Sequence, residues 1–252
     1  EQREGQAQQQ HDDQDPITEA QAYETIGGDD ELAKYKQQSK ALCASVIDAN
    51  LHAEIQRLLP RDYQDRTSFS TVLINQPFVT SLEQLYERAE LALPQFTRTI
   101  EALARDTGGR PFVAPLKGKG RAKMKALFKY KDTDGSGVAW YRLTDIVRAT
   151  LVFGSARDMY AGLDAVVKCS DLQVKELNDR YQQPMASGYC DIQLVVQAAQ
   201  HMCELQLTTE PMHRAKQTSG HRTFEVVREL RAAIPEGSLD RVEGAFQLGL
   251  DH

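Results

Sequence analysis

Leu143–Cys169 reads LTDIVRATLVFGSARDMYAGLDAVVKC, and two structural periods meet inside it. Arg148–Phe153 is a short apolar run rich in β-branched residues, the length and composition of a strand. Ser155 followed three residues later by Asp158 makes a capping box, which predicts a helix over Ser155–Cys169. Further strands are expected downstream at Leu172–Leu177, Ile192–Val196 and Cys203–Thr208, then helices over Thr218–Ala233 and Ser238–Leu250. Upstream, Leu32, Tyr35, Leu42, Val46, Ile47, Leu51, Ile55 and Leu58 recur at helical spacing until Pro60 stops them. A second helix opens at Ser81, capped with Gln84, and Pro94 is expected to kink or split it ahead of Phe96, Ile100 and Leu103. The fold class is therefore α+β, a four-stranded mixed sheet flanked by helices and preceded by a helical N-terminal region.

The chain has 252 residues, 41% hydrophobic and 26% charged, which is enough apolar material for a buried core. No stretch approaches the roughly 20 apolar residues of a membrane span, so no membrane role is expected. The formal charge of −6 describes the leader more than the body. Residues 1–30 hold nine acids and one base. They are also rich in Gln and end near Gly27-Gly28, so 1–29 reads as a flexible tail. The helical region would span 30–108 and the sheet domain 109–252. Cys43, Cys169, Cys190 and Cys203 lie far apart with no CxxC pair, so neither a disulfide framework nor a zinc site is expected. His201, Cys203 and Glu204 offer too few ligands for a metal and read as ordinary strand residues. The leader opens at Glu1 rather than Met, which leaves a signal peptide, a larger polypeptide or a cloning choice open. With its acidic, Gln-rich composition it fits a segment cut from a larger exported polypeptide, and a cytoplasmic site of action is expected.

Leu116–Lys131 (LKGKGRAKMKALFKYK) carries seven basic residues and no acid. Lys117, Arg121, Lys125 and Lys129 recur every fourth residue and would stack on one face of an early-starting helix. Such a row suits a polyphosphate or a nucleic-acid backbone, or it is a solvated basic face. Gly118-Lys-Gly120 lacks a preceding strand and a third Gly, so it is no nucleotide fingerprint. Asp132–Gly137 resembles a calcium loop, but Leu143 stands where the bidentate Glu belongs, and a polar turn is expected. Asp145 stands at the mouth of the strand that carries Arg148. Glu204 and Gln206 alternate on Cys203–Leu207 and point to one face. Asp145 and Glu204 facing a basic helix would hold Mg²⁺ and a triphosphate; the alternative is a salt bridge from Glu204 to Arg148 or Arg228. Tyr189 follows Gly188 in the turn before Ile192, where it would either stack on a purine or pack over the core.

Taken in order, these blocks resemble the synthetase domain of the RelA/SpoT family, the alarmone synthetases, over roughly Pro115–Arg231. They are the basic helix, Leu143-Thr-Asp145-Ile, Asp179…Pro184…Gly188-Tyr189, and Glu204-Leu-Gln206…Met212-His213…His221. The resemblance implies a nucleotidyltransferase-like mixed sheet and transfer of pyrophosphate from ATP to the 3′-hydroxyl of a guanine nucleotide. It implies that Asp145 and Glu204 hold Mg²⁺ and that Gln206 supports them. Arg121 and Lys123 match the family's Arg-x-Lys on the ATP helix, with Lys117, Lys125 and Arg148 as further phosphate contacts. Tyr189 and Gln193 fall at acceptor-binding positions. The chain departs from the pattern at Leu127, Arg148, Thr150, Met185, Asp191, Gln193 and Thr208, so the acceptor pocket is rewritten. The acceptor is then a purine nucleotide, with a toxin or effector acting on adenine nucleotides or RNA, or an inactive nucleotide- or RNA-binding module, as the alternatives.

Overall fold

A computed structural model describes residues 29–46, 68–70, 74–130, 137–182 and 189–217. In chain order the elements are α1 (Asp29–Val46), β1 (Ser68–Ser70), α2 (Leu82–Thr107), β2 (Arg110–Val113) and α3 (Lys119–Lys129). After a 3-10 turn at Trp140–Arg142 come β3 (Arg148–Phe153), α4 (Ala156–Lys168), β4 (Gln173–Asp179), β5 (Ile192–Ala198), β6 (His201–Thr209) and α5 (Glu210–Lys216). The class is the α+β class expected. The six strands form one mixed sheet in the order β1-β4-β5-β6-β3-β2. Only β3 and β6 run parallel; the other neighbours are antiparallel. The two strands beyond the expected four lie at the edges. The expected helices over 218–233 and 238–250, the calcium-like turn at 132–136 and Arg228 lie outside the described residues, whereas α5 was not anticipated.

Alternation along the strands separates the two faces of the sheet. On β3, Ala149, Leu151 and Phe153 are buried while Arg148 and Thr150 remain half-buried. On β6, Cys203, Leu205 and Leu207 are buried while Glu204 and Gln206 remain half-buried. The first set packs under α2 and α4, which touch each other and both β3 and β6. Phe153 marks how tight that layer is: a Cβ on Gly162 of α4 would lie 2.4 Å from its ring, and one on Gly109 would lie 2.8 Å away. Glycine in mid-helix costs stability against alanine, but here only glycine leaves room for the ring.

Both serine N-caps form at their expected starts. Ser81 accepts from the Gln84 N–H at 3.2 Å and Ser155 from the Asp158 N–H at 3.1 Å. Pro94 does not split the second helix, because α2 runs unbroken over Leu82–Thr107 and ends at Gly108 with a left-handed φ of 70°. Leu85, Phe96 and Ile100 lie in the same buried cluster as Leu151, Leu194 and Leu205 of the sheet. No disulfide framework was expected, yet one bridge forms among the described residues. Cys43 of α1 bonds Cys190, 147 residues away, and α1 packs on α5. A pair so distant leaves no spacing motif to read. No described helix is long and apolar enough to cross a membrane.

Candidate active site

The half-buried face of the sheet, opposite α2 and α4, gathers the polar residues. Register places Arg148 beside Glu204 and Thr150 beside Gln206 on the parallel pair β3–β6. Gln193 of β5 lies opposite Gln206. Tyr189 and Asp191 precede Gln193 at the same two-residue alternation, so they continue its row.

Asp145 sits at the mouth of β3, 7% exposed. Its Oδ2 accepts from Lys117 Nζ and Lys125 Nζ, each at 2.8 Å. Lys117 is not part of the basic helix. Its N–H donates to the Ile146 carbonyl at 3.0 Å, and its own carbonyl accepts from the Tyr86 hydroxyl. Those contacts extend the β2–β3 pairing: the Ala114 N–H donates to the Arg148 carbonyl at 3.1 Å. Helix α3 begins only at Lys119, with Gly118 as an N-cap that offers no side chain. Ala122 and Ala126 are its buried stripe, which brings Lys125 to the edge of the packing face. Arg121 and Lys123 are exposed. The four-residue row is thus divided: Lys117 and Lys125 converge on Asp145 from different elements, while Arg121 lies outside that contact.

The two lysines shift in opposite directions. Burial lowers Lys117, and neighbouring Lys125 and Arg148 reinforce this against the pull of Asp145. Burial also pushes Lys125 down, but Asp145, Tyr130 and Glu204 outweigh it and leave it raised. The two cations hold the Asp145 carboxyl well below the usual carboxylate range in spite of its burial. Tyr86 is pushed up to about 12 by burial and by Asp145.

Glu204 is held by neutral groups instead. Gln193 Nε2 donates to Oε2 at 2.8 Å and Gln206 Nε2 donates to Oε1 at 3.0 Å. These amides take the place of the salt bridge to Arg148 considered above. Each amide is oriented in turn by a cation on its oxygen: Arg180 for Gln193, and Lys216 at 2.6 Å for Gln206. Arg180 also donates to Asp191 Oδ1 at 3.0 Å, and the Tyr189 hydroxyl donates to Asp191 Oδ2 at 3.1 Å. Lys216 lies 5.6 Å over the Tyr189 ring, which closes the circuit. Tyr189 is buried, 4% exposed, within this ring of contacts.

Among solved structures, the chain is similar to small alarmone synthetases. Two from Bacillus subtilis, synthetase 1 bound to its product pppGpp and synthetase 2, are each 15% identical, with TM-scores of 0.45 and 0.47. Each comparison covers 66% of this chain and 92% of the other. The Type VI effector Tas1, solved in complex with its immunity protein, is 21% identical over 66% of this chain and 92% of that one, at a TM-score of 0.41. No protein-family model and no curated protein matches the chain.

Of the residues expected at the site, two clusters form: Asp145 meets Lys117 and Lys125, and Glu204 meets Gln206 and Gln193. Arg121 and Lys123 are exposed on α3, and Arg148 stands beside Glu204 by register alone. Arg180, Asp191 and Lys216 belong to the second cluster; of these the sequence marks only Asp191, as a departure from the family pattern. One signal for them existed: Tyr189, Asp191 and Gln193 alternate, so a buried Asp191 on that row required a donor. Among the described residues no group of three His, Cys, Asp or Glu side chains forms a metal cluster. Burial lowers His201 to about 4 and raises Cys203 to about 12. One atom of the candidate pair does suit a hard cation. Oδ1 of Asp145 is buried without a hydrogen-bond partner. Magnesium is commonly bound by one or two carboxylates completed by substrate phosphates, and Asp145 Oδ1 has the chemistry for one such bond.

Proposed function

We propose that the chain is a Mg²⁺-dependent pyrophosphokinase of the RelA/SpoT type, transferring the terminal diphosphate of ATP to the 3′-hydroxyl of a purine nucleotide. The observation that carries this reading is Asp145, whose Oδ2 faces two ammonium groups while its buried Oδ1 has no partner. A carboxylate beside cations at a strand mouth, with a second carboxylate on the neighbouring strand, is what a polyphosphate and its cation require. Bound magnesium would supply charge neutralisation on the phosphate oxygens. Asp145 and Glu204 would hold it, with Gln206 and Gln193 fixing both oxygens of Glu204. Lys117 and Lys125 would meet the phosphates directly, and Arg148, Arg121 and Lys123 would extend the basic approach. Such transfer depends on neutralisation and positioning rather than on a covalent nucleophile. Tyr189 and Gln193 would face the acceptor, whose base is set by a pocket rebuilt around Asp191 and Arg180.

The reading is tested by incubating the chain with γ-labelled ATP, Mg²⁺ and, separately, GDP, GTP, ADP, AMP or bulk tRNA, with Asp145→Ala as control. Label on one purine nucleotide that vanishes in the control is the expected result, and it names the acceptor. Label on tRNA would move the assignment to an RNA-modifying effector. ATP binding without any labelled acceptor would leave a nucleotide-binding module in its place.

A further inference from the structure

Lys117 and Lys125 come from separate elements, yet both donate to the same oxygen of Asp145 and leave the other oxygen bare. A buried carboxylate serving the fold alone is satisfied on both oxygens, as Asp179 is: Oδ1 accepts from two backbone N–H groups and Oδ2 from Tyr160 and Gln182. At Asp145 the two ammonium charges exceed the one carboxylate charge. A divalent cation arriving at Oδ1 would therefore meet two like charges across one carboxylate, and their repulsion opposes its binding. An anion that drew the lysines away would remove that barrier and leave both oxygens open.

We propose that Lys117 and Lys125 latch Asp145 against divalent cations until a polyphosphate takes the lysines over. The cation site and the phosphate site would then be built from the same contacts, exchanged between ligands. Asp145 would compete with phosphate for the lysines, just as the lysines compete with the cation for Asp145. The inference rests on Asp145 being the cation ligand of the proposed transferase, but it does not require that transfer occur.

Binding measurements test it with no reference to turnover. Mn²⁺ alone would be titrated into the full chain and into Lys117→Gln, Lys125→Gln, Asp145→Asn and Lys125→Gln/Asp145→Asn, with free ion followed by electron paramagnetic resonance. Inorganic tripolyphosphate alone, in metal-free buffer, would be titrated by calorimetry. Each lysine variant is expected to bind Mn²⁺ at least about tenfold more tightly than the unsubstituted chain. The gain should vanish when Asp145→Asn is added. Asp145→Asn by itself should bind tripolyphosphate several-fold more tightly, because the lysines no longer have a competing partner, and the lysine variants should bind it more weakly. Lysine variants that bind Mn²⁺ no better than the unsubstituted chain would overturn the latch. So would a gain that survives in the double variant, since it would then arise away from Asp145. Lys125 lies on the rim and Lys117 is held by its backbone, so if one variant fails to fold the other still decides. Label transfer in the absence of these couplings would sink the latch alone; the couplings in the absence of transfer would sink the transferase reading alone.

Discussion

At the mouth of β3, Asp145 faces two ammonium groups through one oxygen; at the end of β4, Asp179 takes four neutral donors spread over two. Both are buried, at 7% and 2% exposure. Their carboxyls move in opposite directions. Burial raises Asp179, and the donations from Tyr160, Gln182 and Tyr181 only partly offset it. At Asp145 burial acts the same way, but Lys125 and Lys117 overcome it. Burial alone therefore does not mark a site. The difference lies in the partners: Asp179 closes a turn that carries Tyr181 and Arg180 into place, whereas Asp145 keeps an acceptor in reserve beside two ammonium groups.

The largest expected effect is on turnover at the first of these aspartates. Asp145→Asn keeps the shape but removes the charge, and label transfer should fall by about a hundredfold or more, the scale seen when a charge-stabilising group is lost from a reacting site. Transfer that survives in a folded Asp145→Asn chain would erase the contrast with Asp179. The next effect is on stability and belongs to the other side of the face. The Cys43–Cys190 bond ties α1 to the segment that carries Tyr189 and Asp191. Cys43→Ser, or reduction, should lower unfolding stability by about 2–4 kcal/mol. Tripolyphosphate binding at Lys117 and Lys125 should be unchanged, as neither touches that segment. Urea titration with and without reductant, paired with calorimetry, separates the two outcomes; equal loss of both would mean that the clusters are not independent.

How much of this was readable before folding follows from the distance over which each signal acts. The strand at 148–153, the capped helix after it, and the strands around Ile192 and Cys203 announce themselves through alternation and local hydrogen-bonding chemistry. β1 and β2 are three and four residues long and carry no period of their own. They are strands because β4 and β3 offer edges to pair with. The same rule divides the site. Asp145 stands out as an acid at the mouth of an apolar strand, and Glu204 and Gln206 as polar residues within one, a local anomaly. The convergence of Lys117 with Lys125 does not show locally, because the helical row predicts their meeting for the wrong reason; it is the β2–β3 extension that delivers Lys117. Arg180 and Lys216 lie beyond strand ends, and only hairpin register and the return of α5 bring them to the amides that hold Glu204.

A smaller effect is expected at Asp179. Asp179→Asn should cost about 1–3 kcal/mol, because an amide nitrogen replaces an acceptor that served buried donors. Turnover per folded molecule should stay near that of the unsubstituted chain, and a hundredfold loss there would make Asp179 a partner of the reaction rather than of the turn. The smallest and most discriminating effect is a slope. For Asp145 the folded carboxyl lies below its unfolded value near 3.9, so its stabilisation is complete above that value and drains away as pH falls below it. For Asp179 the folded carboxyl lies above its unfolded value, so the stability tied to its protonated form is present below about 3.9 and drains away as pH rises through the raised value. Urea midpoints measured from pH 3 to 8 should therefore show Asp145→Asn differing from the unsubstituted chain by a constant amount above about pH 5, the gap closing toward pH 3. Asp179→Asn should show the reverse, its deficit shrinking as pH rises. Two parallel curves would mean that the lysines and the neutral donors act alike on a buried carboxylate, and the distinction between a charged site and a structural turn would have to be drawn elsewhere.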